Sequence, residues 1–275
     1  MTDYTMWNYL LPYLLDLPAK YNILLHSQRG HGRSSLPSPT YPEERETTIP
    51  LLAQDIANLL DALSIPTPVH SVIGVSQGGA TALAFAGLYS TETKTKSIIA
   101  CDTGPRTAPG NKEAWEERIQ LVYGNVSPRN EQYAQVIGMR KLGEVTVPRW
   151  FPPGSTCYEE SQDWEKKAKW LENMIANTKA EGFVQGARAL GEYDLLEADA
   201  DLFKSAVPKV LLVAGSMDGL GKVGKGLEGL REKWVAAAQP GVDIRYAEIE
   251  GSGHLPMVDR PREFAHLIGE WLAGV

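Results

Sequence analysis

The chain has 275 residues, 43% of them hydrophobic and 22% charged, with a formal net charge of −7. That is a globular composition with enough length for a sizeable core, which excludes a disordered or fibrous chain. The acidic balance argues against nucleic acid as a partner, no apolar run reaches the roughly 18–20 residues that a membrane span needs, and Cys101 and Cys157 are too few for a disulfide scaffold.

Taken in chain order, Tyr21–His26 is a short apolar run ending in Arg29-Gly30-His31-Gly32, and it reads as a strand and a turn. The charged run Glu43–Glu46 reads as a solvated surface loop. Ile49–Leu63 sets Leu52, Ile56, Leu59, Leu60 and Leu63 at helical spacing. Val69–Val75 reads as a buried strand, Gly78–Leu88 as an alanine-rich helix behind it, and Lys96–Cys101 as a further strand. From Pro105 to about Val207 only amphipathic helical stretches occur, carrying Trp115, Trp164 and Trp170 and broken by Pro148, Pro152 and Pro153. Lys209–Ala214 and Val242–Ile249 read as strands, and Pro261–Leu272 as a closing helix with proline in its first turn. Strands alternating with helices imply an α/β fold with a mostly parallel sheet covered on both faces. The expected organisation is a core of residues 1–104 and 208–275, with residues 105–207 inserted as a helical cap. A helical subdomain without a part in chemistry is the alternative for that insertion. No charged-then-apolar leader opens the sequence, which points to a cytoplasmic protein.

The sharpest chemical signal is Gly74-Val75-Ser76-Gln77-Gly78, placed between an expected strand and an expected helix. That is the context of a G-x-S-x-G nucleophile elbow, where small neighbours let strand and helix approach and the helix N-terminus favours developing negative charge. A serine nucleophile needs a base, and the base needs an orienting carboxylate. Of five histidines, His254 lies in a loop, Gly251-Ser252-Gly253-His254, between the last expected strand and the last helix. His70 begins a strand, His266 sits within a helix, and His31 lies in the Arg29–Arg33 turn, so these three read as structural. Asp218 follows the Lys209–Ala214 strand, and strand ends on one side of a parallel sheet are where such groups converge. The order Ser76, Asp218, His254 is that of serine hydrolases built on an open α/β sheet.

Two letter matches carry little. Gly219-Leu220-Gly221-Lys222-Val223-Gly224 fits G-x-G-x-x-G, but it lacks the paired unit and acid of a dinucleotide site, and as a P-loop it has Gly226 where Ser or Thr is needed. A loop beside the acid is the plainer account. Asn125-Val126-Ser127 is a glycosylation sequon followed by Pro128, and it is set aside. No His or Cys cluster has ligand spacing, so neither metal nor cofactor is expected.

These residues together resemble an α/β-hydrolase with a helical cap: Arg29-Gly30-His31-Gly32-Arg33-Ser34, the turn at Ser76, the Asp218 loop and Ser252-Gly253-His254. Within the cap, Arg149-Trp150-Phe151, Met174–Thr178, Glu181-Gly182-Phe183, Ala189-Leu190 and Asp194-Leu195 are similar to 3-oxoadipate enol-lactonases. The resemblance runs from about Trp7 to Leu272. It implies hydrolysis of a small ester or lactone through an acyl-enzyme, with Ser76 as nucleophile, His254 as base, Asp218 as its partner and the Gln77 N–H as an oxyanion donor. Arg149 would pair with a substrate carboxylate and Trp150 would form an apolar wall; a surface salt bridge is the alternative for Arg149.

Two departures stand out. Ser27 occupies a position where the family has aspartate, which touches turn hydrogen bonding. Asp3–Leu15 already resembles the helix that follows the family's third strand and His-Gly oxyanion loop. Three strands and one oxyanion donor are therefore expected to be missing, leaving an apolar gap between Tyr21–His26 and Val69–Val75. From this follow two readings besides an active enzyme: a catalytically weak, ligand-binding relative, or a chain whose upstream sequence supplies those strands.

Overall fold

The computed structural model describes residues 1–37, 46–89, 94–124, 130–159, 162–196 and 202–275; the Asn125–Ser127 sequon and all of the Glu43–Glu46 run except Glu46 lie outside them. Four strands, β1 (Val72–Val75), β2 (Ser97–Cys101), β3 (Lys209–Gly215) and β4 (Asp243–Ile249), pair in parallel in the order β1-β2-β3-β4. Before β1 come α1 (Leu11–Leu15) and α2 (Ile49–Ala62), and α3 (Gln77–Leu88) joins β1 to β2. Between β2 and β3 the chain is helical: α4 (Asn111–Tyr123), α5 (Glu131–Tyr133), a π turn, α6 (Met139–Trp150), α7 (Thr156–Glu159), α8 (Trp164–Asn177) and α9 (Ala180–Glu192). The helix α10 (Lys222–Ala237) links β3 to β4, and α11 (Pro256–Asp259) and α12 (Pro261–Ala273) close the chain.

The central strands β2 and β3 are buried on both faces because every residue after their first is apolar, whereas β4 leaves Arg245 and Glu248 exposed. Alternate residues then feed two cores. Ile98 and Ala100 of β2, with Val210, Leu212 and Ala214 of β3, pack with Leu52 and Leu60 of α2, Phe85 of α3 and Trp234 of α10. Ile99 and Cys101, with Leu211 and Val213, face Ile119 of α4, Leu142 of α6, Phe183 of α9 and Ile268 of α12. Local signals set the ends of these helices. Thr48 caps α2 by accepting the Leu51 N–H at 3.2 Å, with Pro50 in the first turn.

One expected element is corrected. Tyr21–His26 is not a strand, and the sheet has four strands among the described residues where five were legible. A strand exists by its ladder, and this segment has no ladder neighbour. Ile23 and Leu24 are 38% and 46% exposed, apolar residues without the burial that their pattern promised. Val69–Val75 shortens for a related reason. Only Val72–Val75 pairs continuously with β2, and Val69 makes a single bridge to Thr95. Among the described residues β1 is therefore an edge strand, and a cavity of about 1960 Å³ lies between it, Tyr21–His26 and the loops beyond the strand ends.

The Arg29–Arg33 turn is fixed from below. Arg29 donates from Nε and Nη2 to the two carboxylate oxygens of Asp55 at 2.7 and 2.6 Å, a bidentate clamp onto α2. Ser27 replaces the family's aspartate without loosening the turn. Its Oγ accepts the Tyr4 N–H at 3.2 Å and its carbonyl accepts the Ser34 hydroxyl at 2.7 Å. His31 is 1% exposed, and burial pushes its pKa down to about 3.

Two measurements check this account. His31 is neutral when folded and takes up a proton on unfolding below pH 6.5, so the unfolded state binds more protons there. Its share of stability is present above pH 6.5 and is lost as pH falls toward 3. Urea melts across that range should show a shallower loss of stability with falling pH for His31→Asn than for the wild type. A Cβ on Gly74 would sit 2.0 Å from the Gly78 carbonyl oxygen, so Gly74→Ala should lower stability by about 1–3 kcal/mol in the same assay.

Candidate active site

Ser76 lies in the single step from β1 to α3 and takes φ 54°, ψ −119°, a left-handed conformation that costs a non-glycine residue about 1–3 kcal/mol. Backbone bonds on both sides hold it there. The Ser76 N–H donates to the Cys101 carbonyl at 2.8 Å, and the Ser76 carbonyl accepts the Ala80 N–H at 2.9 Å. The turn is possible because strand and helix nearly touch at Gly74.

Gln77 is the first residue of α3, where a helix leaves N–H groups without intrahelical acceptors. Its side chain is fully engaged. Oε1 accepts from Gln28 Nε2 at 2.7 Å, and Nε2 donates to the Gly186 carbonyl of α9 at 3.0 Å. The backbone N–H of Gln77 is one of these helix-start groups without an intrahelical acceptor.

Asp218 begins a 3₁₀ turn directly after β3. Gly219, Leu220 and Gly221 follow at φ 55°, 59° and 76° before α10 begins at Lys222. The glycine-rich run serves this left-handed turn, which is why it imitates nucleotide-binding letters. His254 sits in the loop after β4, and its Nδ1 lies 2.7 Å from Asp218 Oδ2. Burial pushes the Asp218 carboxyl up, but the neighbouring His254 and several hydrogen bonds outweigh it and hold the group below the usual carboxylate range.

The helical segment touches the histidine directly. The His254 N–H donates to the Trp150 carbonyl at 2.8 Å, and the two rings stack at 5.7 Å with planes 28° apart. The close approach needs Gly253, where a Cβ would stand 2.0 Å from the Trp150 oxygen. The Gly253 N–H is held in turn by Asp259 Oδ2 at 2.7 Å.

Every residue singled out from sequence lines one cavity: Ser76, Gln77, Asp218, His254, Arg149 and Trp150. Among the described residues, Asp218 and His254 are the pair of these six joined side chain to side chain by a hydrogen bond. Arg149 has no ion-pair partner among the described residues, which removes the surface salt bridge. It is exposed to the cavity, yet enough protein surrounds it that desolvation lowers its pKa despite the Asp218 charge. Of the other histidines, His26, His31 and His70 line the same cavity without bonding to Asp218 or His254, and His266 lies outside it. His70 Nε2 is 2.9 Å from the Leu272 carbonyl, and His266 is 3.4 Å from Glu270.

Sequence reasoning missed three contributors. Arg118 of α4 stacks on Trp115 at 4.7 Å and lines the same cavity; burial and then the charge of Arg149 bring its pKa down to about 10. The i, i+3 spacing of Trp115 and Arg118 was the available signal. Asp102, 3% exposed with φ 47°, follows β2 and takes the Gly215 N–H on Oδ1 at 2.8 Å. A carboxylate at a strand's C-terminal end was its signal. Gln28 had none, since its contact depends on tertiary placement.

Comparisons with known proteins agree with this fold. Over 267 residues the chain is 29% identical to 3-oxoadipate enol-lactonase 2 of Acinetobacter baylyi (strain ATCC 33305 / BD413 / ADP1), covering 97% of this chain and 83% of that one. Among solved structures it is similar to a thermophilic esterase from Thermogutta terrifontis, with TM-score 0.76 and 23% identity over 99% of this chain and 86% of that one. It is also similar to the enol-lactonase from Burkholderia xenovorans LB400, with TM-score 0.74 and 23% identity over 99% and 87%. Residues 2–267 match the alpha/beta hydrolase family, and the chain belongs to it.

Proposed function

We propose that the protein is a serine hydrolase that opens a small carboxylic ester or lactone through an acyl-enzyme. The observation that carries this reading is the 2.7 Å bond between His254 Nδ1 and Asp218, on the same cavity wall as a serine held in a strained turn. Ser76 Oγ attacks the carbonyl carbon while His254 Nε2 takes its proton. Asp218 fixes the tautomer with Nδ1 protonated and steadies the imidazolium. The Gln77 N–H stabilises the oxyanion at the N-terminus of α3. Collapse of the tetrahedral intermediate expels the alkoxide or enolate, which takes the proton from His254; in a lactone it remains tethered to the acyl group. Water, deprotonated by His254, then releases the acid.

The relative's activity on an enol-lactone supports a lactone as substrate. Arg149 and Arg118, two guanidinium groups without a carboxylate partner among the described residues, support a substrate that carries its own carboxylate. Trp150 then serves both as a wall of the site and as the plane against which His254 rests. Residues 105–207 act as the cap, since α6 and α9 meet His254 and Gln77.

A second reading has an observation of its own. Among the described residues β1 has no strand on its outer side, the Gln77 N–H then stands as a single oxyanion donor, and losing one of two such donors costs roughly 10²–10³-fold in rate. On that reading the chain binds the ligand and turns it over slowly.

Hydrolysis of p-nitrophenyl acetate separates the two. Wild-type activity that falls at least about a thousandfold in Ser76→Ala supports the enzyme. Equal, background rates in both proteins would leave ligand binding. In addition, Arg149→Ala should raise KM for a carboxylate-bearing lactone roughly tenfold more than for the neutral ester, the worth of one charge-assisted hydrogen bond. An equal change for both substrates would remove Arg149 from carboxylate recognition.

A further inference from the structure

Asp102 is a second buried acid beside the proposed triad, and the mechanism above does not use it. Its Oδ1 accepts the Gly215 N–H at 2.8 Å. Its Oδ2 is sealed from solvent and takes no N–H or hydroxyl donor among the described residues, while the Asp102 and Asp218 carboxyl groups lie within hydrogen-bond reach of one another. Asp102, Asp218 and His254 each bring one oxygen or nitrogen within 4.8 Å of the others. A buried carboxylate oxygen without a donor costs the desolvation of a charged acceptor, and two carboxylates this close do not both ionise.

We infer that Asp102 is a positioning residue that carries a proton on Oδ2 and donates it as a hydrogen bond to Asp218, so that Asp218 is held between this O–H and the His254 Nδ1–H. The inference rests on the proposed triad for its role in catalysis but not for its protonation state. One proton satisfies the orphaned oxygen, removes the carboxylate–carboxylate repulsion and gives the Asp218 carboxyl a second donor besides His254.

The surroundings agree. Burial first, and then the Asp218 charge, push the Asp102 carboxyl well above the ordinary carboxylate range, while Asp218 is held below it. The charged and titratable groups facing the pair are His254 from the β4 loop, Cys101 beside it on β2, Tyr246 on β4 and Arg149 of α6. The Cys101 thiol is pushed up by burial and then by Asp102. Tyr246 is pushed up chiefly by burial and by Glu248, with Asp102 the smallest contributor. Arg149 feels the charge of Asp218 rather than that of Asp102.

The test compares Asp102→Leu with Asp102→Asn. Leucine removes the donor; asparagine keeps an N–H at the position of the proposed O–H and a carbonyl for Gly215. Asp102→Leu should lose roughly tenfold or more in kcat and move the acid limb of kcat/KM toward neutral pH, because Asp218 is left less stabilised as an anion. Asp102→Asn should recover kcat to within about threefold of wild type and return the acid limb to its place. A folded Asp102→Asn protein as impaired as Asp102→Leu would overturn the inference, since the charge of Asp102 would then be what matters. Equal pH profiles in both variants would reduce Asp102 to packing. Should the variants fail to fold, or the triad itself prove inactive, a ¹³C NMR titration of the Asp102 carboxyl in the wild-type protein still decides. The inference requires that it remain protonated at pH 7, and an ionised signal there sinks it.

Discussion

The hydrogen-bond ladder does not stop where the strands stop, and the site depends on that. Beyond the last paired residues, the Ser76 N–H reaches Cys101, the Asp102 N–H reaches Val213 and the Ser216 N–H reaches Ile249, at 2.8–3.0 Å. Each bond carries the register of one strand pair into the next loop, where the chain would otherwise be free. The register itself is set by Val75 opposite Cys101 and Cys101 opposite Val213. Because side chains alternate between faces, a slip of one residue would exchange the two cores and also turn the serine away from the carboxylates. Burial of the central strands on both faces therefore guards the geometry of groups that are themselves polar and partly exposed.

Polar groups in such a position need fixing from a second direction, and the helices between β2 and β3 provide it. Trp150 meets His254 through both its carbonyl and its ring, and the Gly186 carbonyl holds the Gln77 amide. Both contacts require missing side chains, at Gly253 in one case and at Gly186 itself in the other, where a Cβ would be 3.1 Å from Gln77 Oε1. The helical segment is thus coupled to His254 and to Gln77, the proposed base and the residue after the proposed nucleophile. A movement of α6 or α9 would reach the chemistry without any change in the sheet.

Much of this was legible in the sequence, for reasons that differ by element. The strands β2 and β3 declared themselves because a strand buried on both faces must be apolar throughout. Ser76, Asp218 and His254 were legible because each sits in a loop that follows a strand, flanked by glycines whose spacing reflects tight turns. Tyr21–His26 misled because apolarity reports the wish for burial, whereas a strand also needs a neighbour, and the neighbour this one needs lies in the gap that the family resemblance had marked beside it. Asp102 was overlooked because one carboxylate at a strand end looks like any other. Its distinctive feature, an oxygen with no donor beside a second acid, is a property of three segments brought together.

The open edge of β1 has a more limited consequence than its central place suggests. Ser76 takes its backbone support from Cys101 on the β2 side and from Ala80 within α3, and neither bond involves the open side. Asp102, Asp218 and His254 are built from β2, β3 and β4, further from that edge. The triad geometry is therefore insulated from the unpaired edge. What the edge does change is the space in front of the serine. Ligand pockets ordinarily enclose about 300–1,000 Å³, whereas the cavity here, about 1960 Å³, runs past the site to Ile23, Leu24 and Ile73. Substrate held only by Arg149, Arg118 and Trp150 would be confined on the helical side and free on the other. On the proposed mechanism, the price of an unpaired β1 among the described residues falls on orientation of the acyl carbonyl and on exclusion of water, while the bond between His254 and Asp218 is left as the fold made it.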